Sequence, residues 1–409
     1  MPNKHIIIAT GGTGGHIFPA RATAHALHRS GFKITIFADD KYLKYSERKD
    51  PYNYKIISSS QLCNGFLNKI RALFKIALAT CKSLLLILYY RPQVIVAFGG
   101  YATFPVLIAA TILKRKIILH EQNAHLGRVN RLFIKYASKI ALSYPQTGGI
   151  NPEYQNNTIF TGNPIRKKIK ALSKNEYQLP TSNKPEKNKK VNNLGYNLLL
   201  ASQFNRQYQN DEHIGNLFNI LVIGGSGGAK IFSDILPKAF FNLKESLKEQ
   251  INIIQQCRPE YIEYTFNQYQ NFNLNILIDR FFSDIDKKIK NAHLIIARAG
   301  SSSIAEFTAA KKPMILVPFA KAADNHQEKN AAFIEKSGAA VVFKEQNFTI
   351  NKVTKCLEKL IEHPGILKKM SQNSFSCANL NADLNMVKLV KSFLIPTLAH
   401  QNKTNTNSF

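Results

Sequence analysis

The residues best placed to do chemistry in this chain sit in two glycine-rich turns. Gly11-Gly12-Thr13-Gly14-Gly15-His16 follows the apolar run His5-Ile6-Ile7-Ile8-Ala9. Gly224-Gly225-Ser226-Gly227-Gly228-Ala229 follows Asn219-Ile220-Leu221-Val222-Ile223. Each reads as a buried strand, a turn and a helix, so bare backbone N–H groups and a helix N-terminus can face an anion. The first turn is not a dinucleotide fingerprint, because Ile17 stands where the third glycine of G-x-G-x-x-G belongs, and no Walker lysine-serine pair follows. His16 opens the first helix, where it can cap, pack, or contact a diphosphate or an acceptor hydroxyl.

Further polar groups fall at strand ends. His120-Glu121-Gln122-Asn123 follows an apolar run at 117–119, and the C-terminal end of a parallel strand faces a ligand crevice. Asn123 can donate to and accept from a sugar amide or hydroxyl. No H-E-x-x-H follows, so zinc is not suggested. Gly162-Asn163-Pro164-Ile165-Arg166 carries an arginine suited to bidentate phosphate contact. Arg298-Ala299-Gly300-Ser301-Ser302-Ser303-Ile304-Ala305-Glu306 puts small residues and hydroxyls at a helix start and an acid that could hold both hydroxyls of a ribose. Asp324-Asn325-His326-Gln327 follows the next strand. Taken singly, each reads more readily as a cap, a packing group or a surface charge. Asp39-Asp40 reads as a turn. Asp284-Ile285-Asp286 has the D-x-D form of some metal-dependent sugar-nucleotide transferases but lies among Lys287, Lys288 and Lys290, and reads as a solvated turn.

The elements that must position these groups alternate. Apolar runs at 6–9, 33–37, 94–98 and 116–119 are separated by helical patterns at 20–30, 69–90 and 104–113. A second series of runs at 220–223, 252–255, 294–297, 314–317 and 340–343 repeats the pattern. The fold class expected is α/β, with two doubly wound, Rossmann-like domains facing a central cleft. The expected boundaries are 1–163 for the first domain, rejoined by a C-terminal helix at about 376–396, and 164–373 for the second. Residues 173–216 are rich in Asn, Lys, Gln and Ser and read as a disordered insertion, and 397–409 as a disordered tail.

The chain has 409 residues, enough for two domains, and a formal net charge of +29. That balance favours nucleic acid, anionic lipid or phosphorylated partners, although a Lys-, Asn- and Ile-rich composition can also follow from an AT-rich genome. Cys63, Cys81, Cys257, Cys356 and Cys377 form no C-x-x-C, which argues for a reducing compartment and against a disulfide framework. The N-terminus runs directly into a strand, so no signal peptide is expected. Residues 70–90 are apolar and long enough to span a bilayer, but Arg71, Lys75 and Lys82 interrupt them. At helical spacing these three share a stripe with Phe74, Leu78 and Leu85, a face suited to an anionic membrane surface. Leu73, Ala77, Leu84 and Ile87 lie opposite and are expected to pack on the sheet.

Taken together, GGTGGHIFPA, the FGGY at 98–101, HEQN, GNPIR, GGSGGA, RAGSSSIAE and DNHQEKNA resemble, in order, the bacterial MurG family of glycosyltransferase family 28. The resemblance covers nearly the whole chain except 173–216 and the tail. It implies a GT-B fold and inverting, metal-independent transfer of N-acetylglucosamine from UDP-N-acetylglucosamine to the 4-hydroxyl of lipid I, forming lipid II for peptidoglycan. No cofactor is implied. It implies that Thr13, Gly14 and Gly15 lie near the donor diphosphate and the acceptor. Asn123, Arg166, Ser226 and Gln327 match donor-binding positions. Phe282 matches the position whose backbone reads the uracil, Glu306 the ribose-binding acid, and Ser301 and Ser302 the phosphate turn. His16 is the best candidate for the general base, with Glu121 the alternative. Membrane contact falls to Arg71, Phe74, Lys75, Leu78 and Lys82. The location implied is peripheral, at the cytoplasmic face of the inner membrane, where other cell-wall or division enzymes could be met. Gly227 departs from the family's usual Gln.

Other readings are a different GT-B member, such as a UDP-N-acetylglucosamine 2-epimerase or a glycolipid transferase, and a non-catalytic nucleotide-sugar binder. A nucleic-acid binder would explain the charge but not the two glycine turns, and no nucleic-acid motif is present.

Overall fold

The computed structural model describes residues 4–47, 50–57, 66–180, 217–225, 228–269 and 274–394, the side chains of 66 and 67 excepted. Ser226 and Gly227, Cys63, residues 181–216 of the expected insertion and the expected tail lie outside the described residues. The chain divides into two compact units. The first takes the described parts of Met1–Gln122, Leu126–Pro164 and Asn381–Phe409, and the second takes those of Asn123–His125 and Ile165–Leu380.

The first unit runs β1 (His5–Ala9), α1 (Gly14–Arg29), β2 (Lys33–Ala38), β3 (Asn53–Ile56), α2 (Phe66–Tyr90), β4 (Val94–Ala97), α3 (Thr103–Ile112), β5 (Lys116–Glu121), α4 (Arg128–Phe133), β6 (Lys139–Leu142) and β7 (Thr158–Phe160). Its seven strands are all parallel, in the order β3-β2-β1-β4-β5-β6-β7. β1 and β4 are wholly buried, which is why they read as unbroken apolar runs rather than alternating ones. The order reverses between β1 and β4, so the turns after these two strands flank the crevice of the sheet. They are GGTGGH and FGGY.

The second unit runs α5 (Lys167–Leu172), β8 (Phe218–Ile223), α6 (Lys230–Phe241), α7 (Glu245–Lys248), β9 (Ile251–Gln256), α8 (Ile262–Tyr269), β10 (Asn275–Asp279), α9 (Ile285–Asn291), β11 (Leu294–Ala297), α10 (Ser301–Ala309), β12 (Met314–Leu316), α11 (His326–Lys336), β13 (Ala340–Val342), α12 (Ile350–Glu362) and α13 (Pro364–Ser376). Its six parallel strands order β10-β9-β8-β11-β12-β13. Here the reversal falls between β8 and β11, whose C-terminal turns are GGSGGA and RAGSSS. A last helix, α14 (Ala382–Ser392), returns to the first unit, where Met386, Val387, Leu389 and Val390 join the cluster containing Ala20, Ala24 and Leu27 of α1. The Asn385 amide donates to the Thr161 carbonyl at 3.0 Å.

Two expectations are corrected. The sheet-facing side of α2 is not the one bearing Leu73 and Ala77, which are exposed, Leu73 by 58%. Ile87 is buried and Leu84 half-buried, as expected of them, and Ala72, Ala79 and Ser83 complete the buried side. The helix packs through small residues, which let it approach closely, and most of its large apolar side chains face outward. The polar stretch from 173 also does not leave the fold at once. Tyr177 and Leu179 pack on the second unit's core, and the Tyr177 hydroxyl donates to the His293 carbonyl at 2.7 Å.

Candidate functional site

In the first unit, the glycine turn is held from two sides. The Gly12 N–H donates to Asp39 Oδ2 at 2.8 Å, so the acid that read as a plain turn residue closes the loop after β1. Opposite it, Gly100 of FGGY sits at φ 84°, and a Cβ there would come 2.8 Å from the Gly11 carbonyl oxygen. Only glycine permits both the left-handed backbone and that approach. Thr13 is the N-cap of α1 with no side-chain cap bond, and no acidic residue occupies the first turn. The positive end of α1 therefore faces no acidic side chain on its own first turn.

His16 lies one residue further along, and its Nδ1 is 3.0 Å from Gln122 Oε1. Gln122 Nε2 lies 3.0 Å from His120 Nδ1, and His120 Nε2 lies 3.2 Å from the Gly162 carbonyl oxygen. The imidazole of His120 is fully buried, stacks on Phe98 at 4.7 Å, and burial lowers it to about 4. It is neutral at physiological pH, donating through Nε2 and accepting at Nδ1. Glu121 is also buried, and its Oε2 accepts from the Gly127 N–H and from Asn130 Nδ2, both at 2.8 Å. Its carboxylate thus ties down the loop before α4, a task that suits a structural acid better than a base.

In the second unit, Gly224 ends β8 in a turn so tight that a Cβ would come 2.6 Å from the Gly228 carbonyl carbon, and the Gly228 N–H closes the turn on the Gly225 carbonyl at 3.0 Å. Ser301 and Ser302 open α10, whose N-cap is Gly300, a residue with no side chain of its own to cap the helix. Glu306, further along α10, is 6% exposed. Arg166, the N-cap of α5, grips it in a two-point ion pair, Nε to Oε1 and Nη2 to Oε2, each 2.6 Å. Both residues were expected to touch a donor separately, yet they form one unit. The fork of Arg166 fixes the plane of the carboxylate and leaves each oxygen a lone pair for further donors.

Gln327, on the first turn of α11, accepts from the Phe319 N–H through Oε1 at 2.9 Å. Arg298 braces the same loop by donating to the Val317 and Pro318 carbonyls and pairing with Glu345 at 2.6 Å. Asp324 and Asn325, just before α11, both adopt left-handed backbone, φ 54° and 52°, a strained pair for residues with side chains. Asn330 was not singled out from the sequence. It is fully buried and links three segments: its Oδ1 accepts from the Ala124 N–H at 2.8 Å, and its Nδ2 donates to Asn123 Oδ1 and to the Ala299 carbonyl. Asn123 is thereby set beside the RAGSSS turn. An asparagine on an otherwise apolar side of a helix was the available signal. The Phe282 ring is buried in the apolar cluster that also holds Leu221, Ile254 and Ile295, so its main chain is what it can offer a ligand.

Among the described residues, no group of three or more His, Cys, Asp or Glu side chains could hold a metal ion. Asp284 of the D-x-D sequence lies 3.6 Å from Lys288. The five residues expected at a membrane, Arg71, Phe74, Lys75, Leu78 and Lys82, are all exposed. The Lys82 ammonium donates to the Ile56 carbonyl at 2.8 Å.

Two family models match: the glycosyltransferase family 28 N-terminal domain over residues 6–142 and its C-terminal domain over 219–388. A UDP-N-acetylglucosamine--N-acetylmuramyl-(pentapeptide) pyrophosphoryl-undecaprenol N-acetylglucosamine transferase of Wolbachia pipientis subsp. Culex pipiens is 33% identical over 387 residues, 94% of this chain and 98% of the relative. The protein of the same name in Sphingopyxis alaskensis is 30% identical over 395 residues, 97% and 93% of the two chains. The crystal structure of Acinetobacter baumannii MurG superposes with a TM-score of 0.67 at 25% identity, covering 95% of this chain and 99% of that one. A UDP-GlcNAc 2-epimerase from Neisseria meningitidis bound to UDP-GlcNAc gives 0.63 at 14% identity over 95% and 99%, a likeness of fold alone.

Proposed function

We propose that this chain, which belongs to glycosyltransferase family 28, transfers N-acetylglucosamine from UDP-N-acetylglucosamine to the 4-hydroxyl of lipid I. The observation that carries this reading lies on one helix. α10 opens at Ser301 and Ser302 behind the glycine N-cap Gly300, and it carries a buried, arginine-gripped carboxylate at Glu306. A nucleoside diphosphate needs that pair of features: donors for phosphate oxygens, and an anion for the two ribose hydroxyls.

In the second unit Glu306 accepts from the ribose hydroxyls, with Arg166 holding its plane. The Phe282 main chain meets the uracil, and Ser301 and Ser302 meet the diphosphate with Ser226 of the glycine turn. Asn123 and Gln327 meet the sugar. In the first unit, Thr13, Gly14 and Gly15 at the N-terminus of α1 add donors to the diphosphate as its negative charge grows. The acceptor oxygen attacks the anomeric carbon as the bond to the β-phosphate oxygen breaks, and the electron pair leaves with UDP. The acceptor proton passes to Nε2 of His16. A single displacement inverts the α-linked donor to a β-linked product.

A lipid-borne acceptor requires contact with a membrane surface. α2 contains the described stretch, Asn68–Tyr90, long and apolar enough to cross a membrane, yet only 22% of its apolar window is buried in protein. Arg71, Lys75 and Lys82 on the exposed side speak for lying at an anionic surface rather than spanning it. We therefore assign the chain a peripheral site at the cytoplasmic face of the inner membrane. The test is product analysis after incubation with UDP-N-acetylglucosamine and a lipid I analogue. A β-linked N-acetylglucosaminyl lipid supports the reading. Donor turnover that leaves the lipid unmodified contradicts it.

A further inference from the structure

We infer that Gln122 and His120 are positioning residues that lock His16 in its Nδ1–H tautomer, leaving Nε2 with the lone pair. This rests on the reading of His16 as base but adds an independent claim about its state. The chain of bonds has a direction. The Gly162 carbonyl can only accept, so His120 Nε2 must carry a proton, at 3.2 Å. His120 is buried and neutral, so its Nδ1 can only accept, and Gln122 Nε2 supplies that donor at 3.0 Å. The same amide also donates to the His120 carbonyl at 3.2 Å. With its nitrogen so engaged, the amide must turn Oε1 toward His16, at 3.0 Å. An amide oxygen only accepts, so His16 Nδ1 carries the proton.

The arrangement is anchored at every link. Phe98 stacks on His120, Gln122 is 2% exposed, and Gly162 holds its carbonyl in place at φ 80°. Gly99 and Gly100 bring the backbone close to the His16 ring, where a Cβ would come within 3.6 Å and 3.5 Å of it. A histidine free in water favours the other tautomer, with the proton on Nε2, which cannot take a proton at that nitrogen. The network therefore selects the form that a base facing an acceptor needs.

The experiment is 15N NMR of the full chain labelled at histidine, with the His16 signals assigned by His16→Gln. At neutral pH the wild type is expected to show a protonated Nδ1 and an unprotonated Nε2 at residue 16. In Gln122→Leu the Nε2–H form should predominate, with kcat down roughly two- to tenfold and KM for UDP-N-acetylglucosamine unchanged, as loss of one hydrogen bond implies. Gln122→Glu keeps an acceptor toward His16. It should restore the Nδ1–H tautomer and move the acid limb of the pH–rate profile upward, which a merely structural role would not do. An Nε2–H tautomer in the wild type overturns the inference without any variant having to fold. If the tautomer is as stated but His16→Gln keeps full activity, the lock stands and the base assignment falls.

Discussion

The pairing of Arg166 with Glu306 makes a prediction that separates two roles for the arginine. If Arg166 acts on UDP only by orienting Glu306, removing it matters only while the carboxylate is there. Glu306→Gln replaces a charged acceptor by a neutral one and should weaken UDP binding by about 1.5–3 kcal/mol, the worth of a hydrogen bond to a charged group, or roughly 10- to 150-fold. Arg166→Ala removes two 2.6 Å contacts and lets the carboxylate turn and hydrate. Because the Arg166 side chain is 31% exposed, water replaces part of what is lost, and about 1–2 kcal/mol is expected. The double variant should bind UDP no more weakly than Glu306→Gln alone. Titration calorimetry of the four proteins with UDP reads this directly. A double variant weaker than Glu306→Gln by a further tenfold or more would mean that Arg166 contacts the diphosphate itself, and would refute the orienting role.

Three further outcomes follow from the geometry. His120, at about 4 in the folded chain against 6.5 when exposed, stays neutral where the unfolded chain takes up a proton. Its contribution to stability is therefore complete above about pH 6.5 and shrinks as pH falls toward 4, by about 2 kcal/mol at pH 5, as a drop in the urea midpoint of the first unit that is smaller in His120→Asn. Gly100→Ala should cost about 2 kcal/mol or more and abolish most transfer, whereas Gly31→Ala, at φ 85° with open space around it, carries backbone strain alone; thermal melts and activity of both variants isolate the contact with Gly11. Replacing Arg71, Lys75 and Lys82 together by Ser should lower binding to anionic vesicles by about a hundredfold, since each cation near such a surface is worth about 1 kcal/mol, and should leave neutral-vesicle binding nearly unchanged in a sedimentation assay.

Much of this site is legible in the sequence because the pieces that bind backbone-first leave a plain signature. A strand, then glycines, then a helix means the same thing wherever it occurs, and GGTGGH and GGSGGA sit where the order of each sheet reverses. What the sequence hides is what tertiary approach decides. FGGY is visible as a motif, but nothing local reveals that Gly100 rests against Gly11. HEQN draws the eye to Asn123, whereas Gln122 is the residue that reaches His16. Arg166 and Glu306 are 140 residues apart and look like two separate ligand contacts until the fold pairs them. The face of α2 is misread in part for a physical reason: hydrophobicity ranks large side chains first, while this helix packs through Ala72, Ala79 and Ser83 beside Ile87 and turns Leu73 outward. Tyr177 and Leu179 are lost in a polar stretch because composition averages over the few side chains that anchor it.

Metal-free transfer to the lipid is decided by UDP release from UDP-N-acetylglucosamine, with and without a lipid I analogue, in the presence of a chelator. Release is expected to require the lipid, survive the chelator and collapse in Gln327→Ala. Tight donor binding with no lipid-dependent release would contradict it.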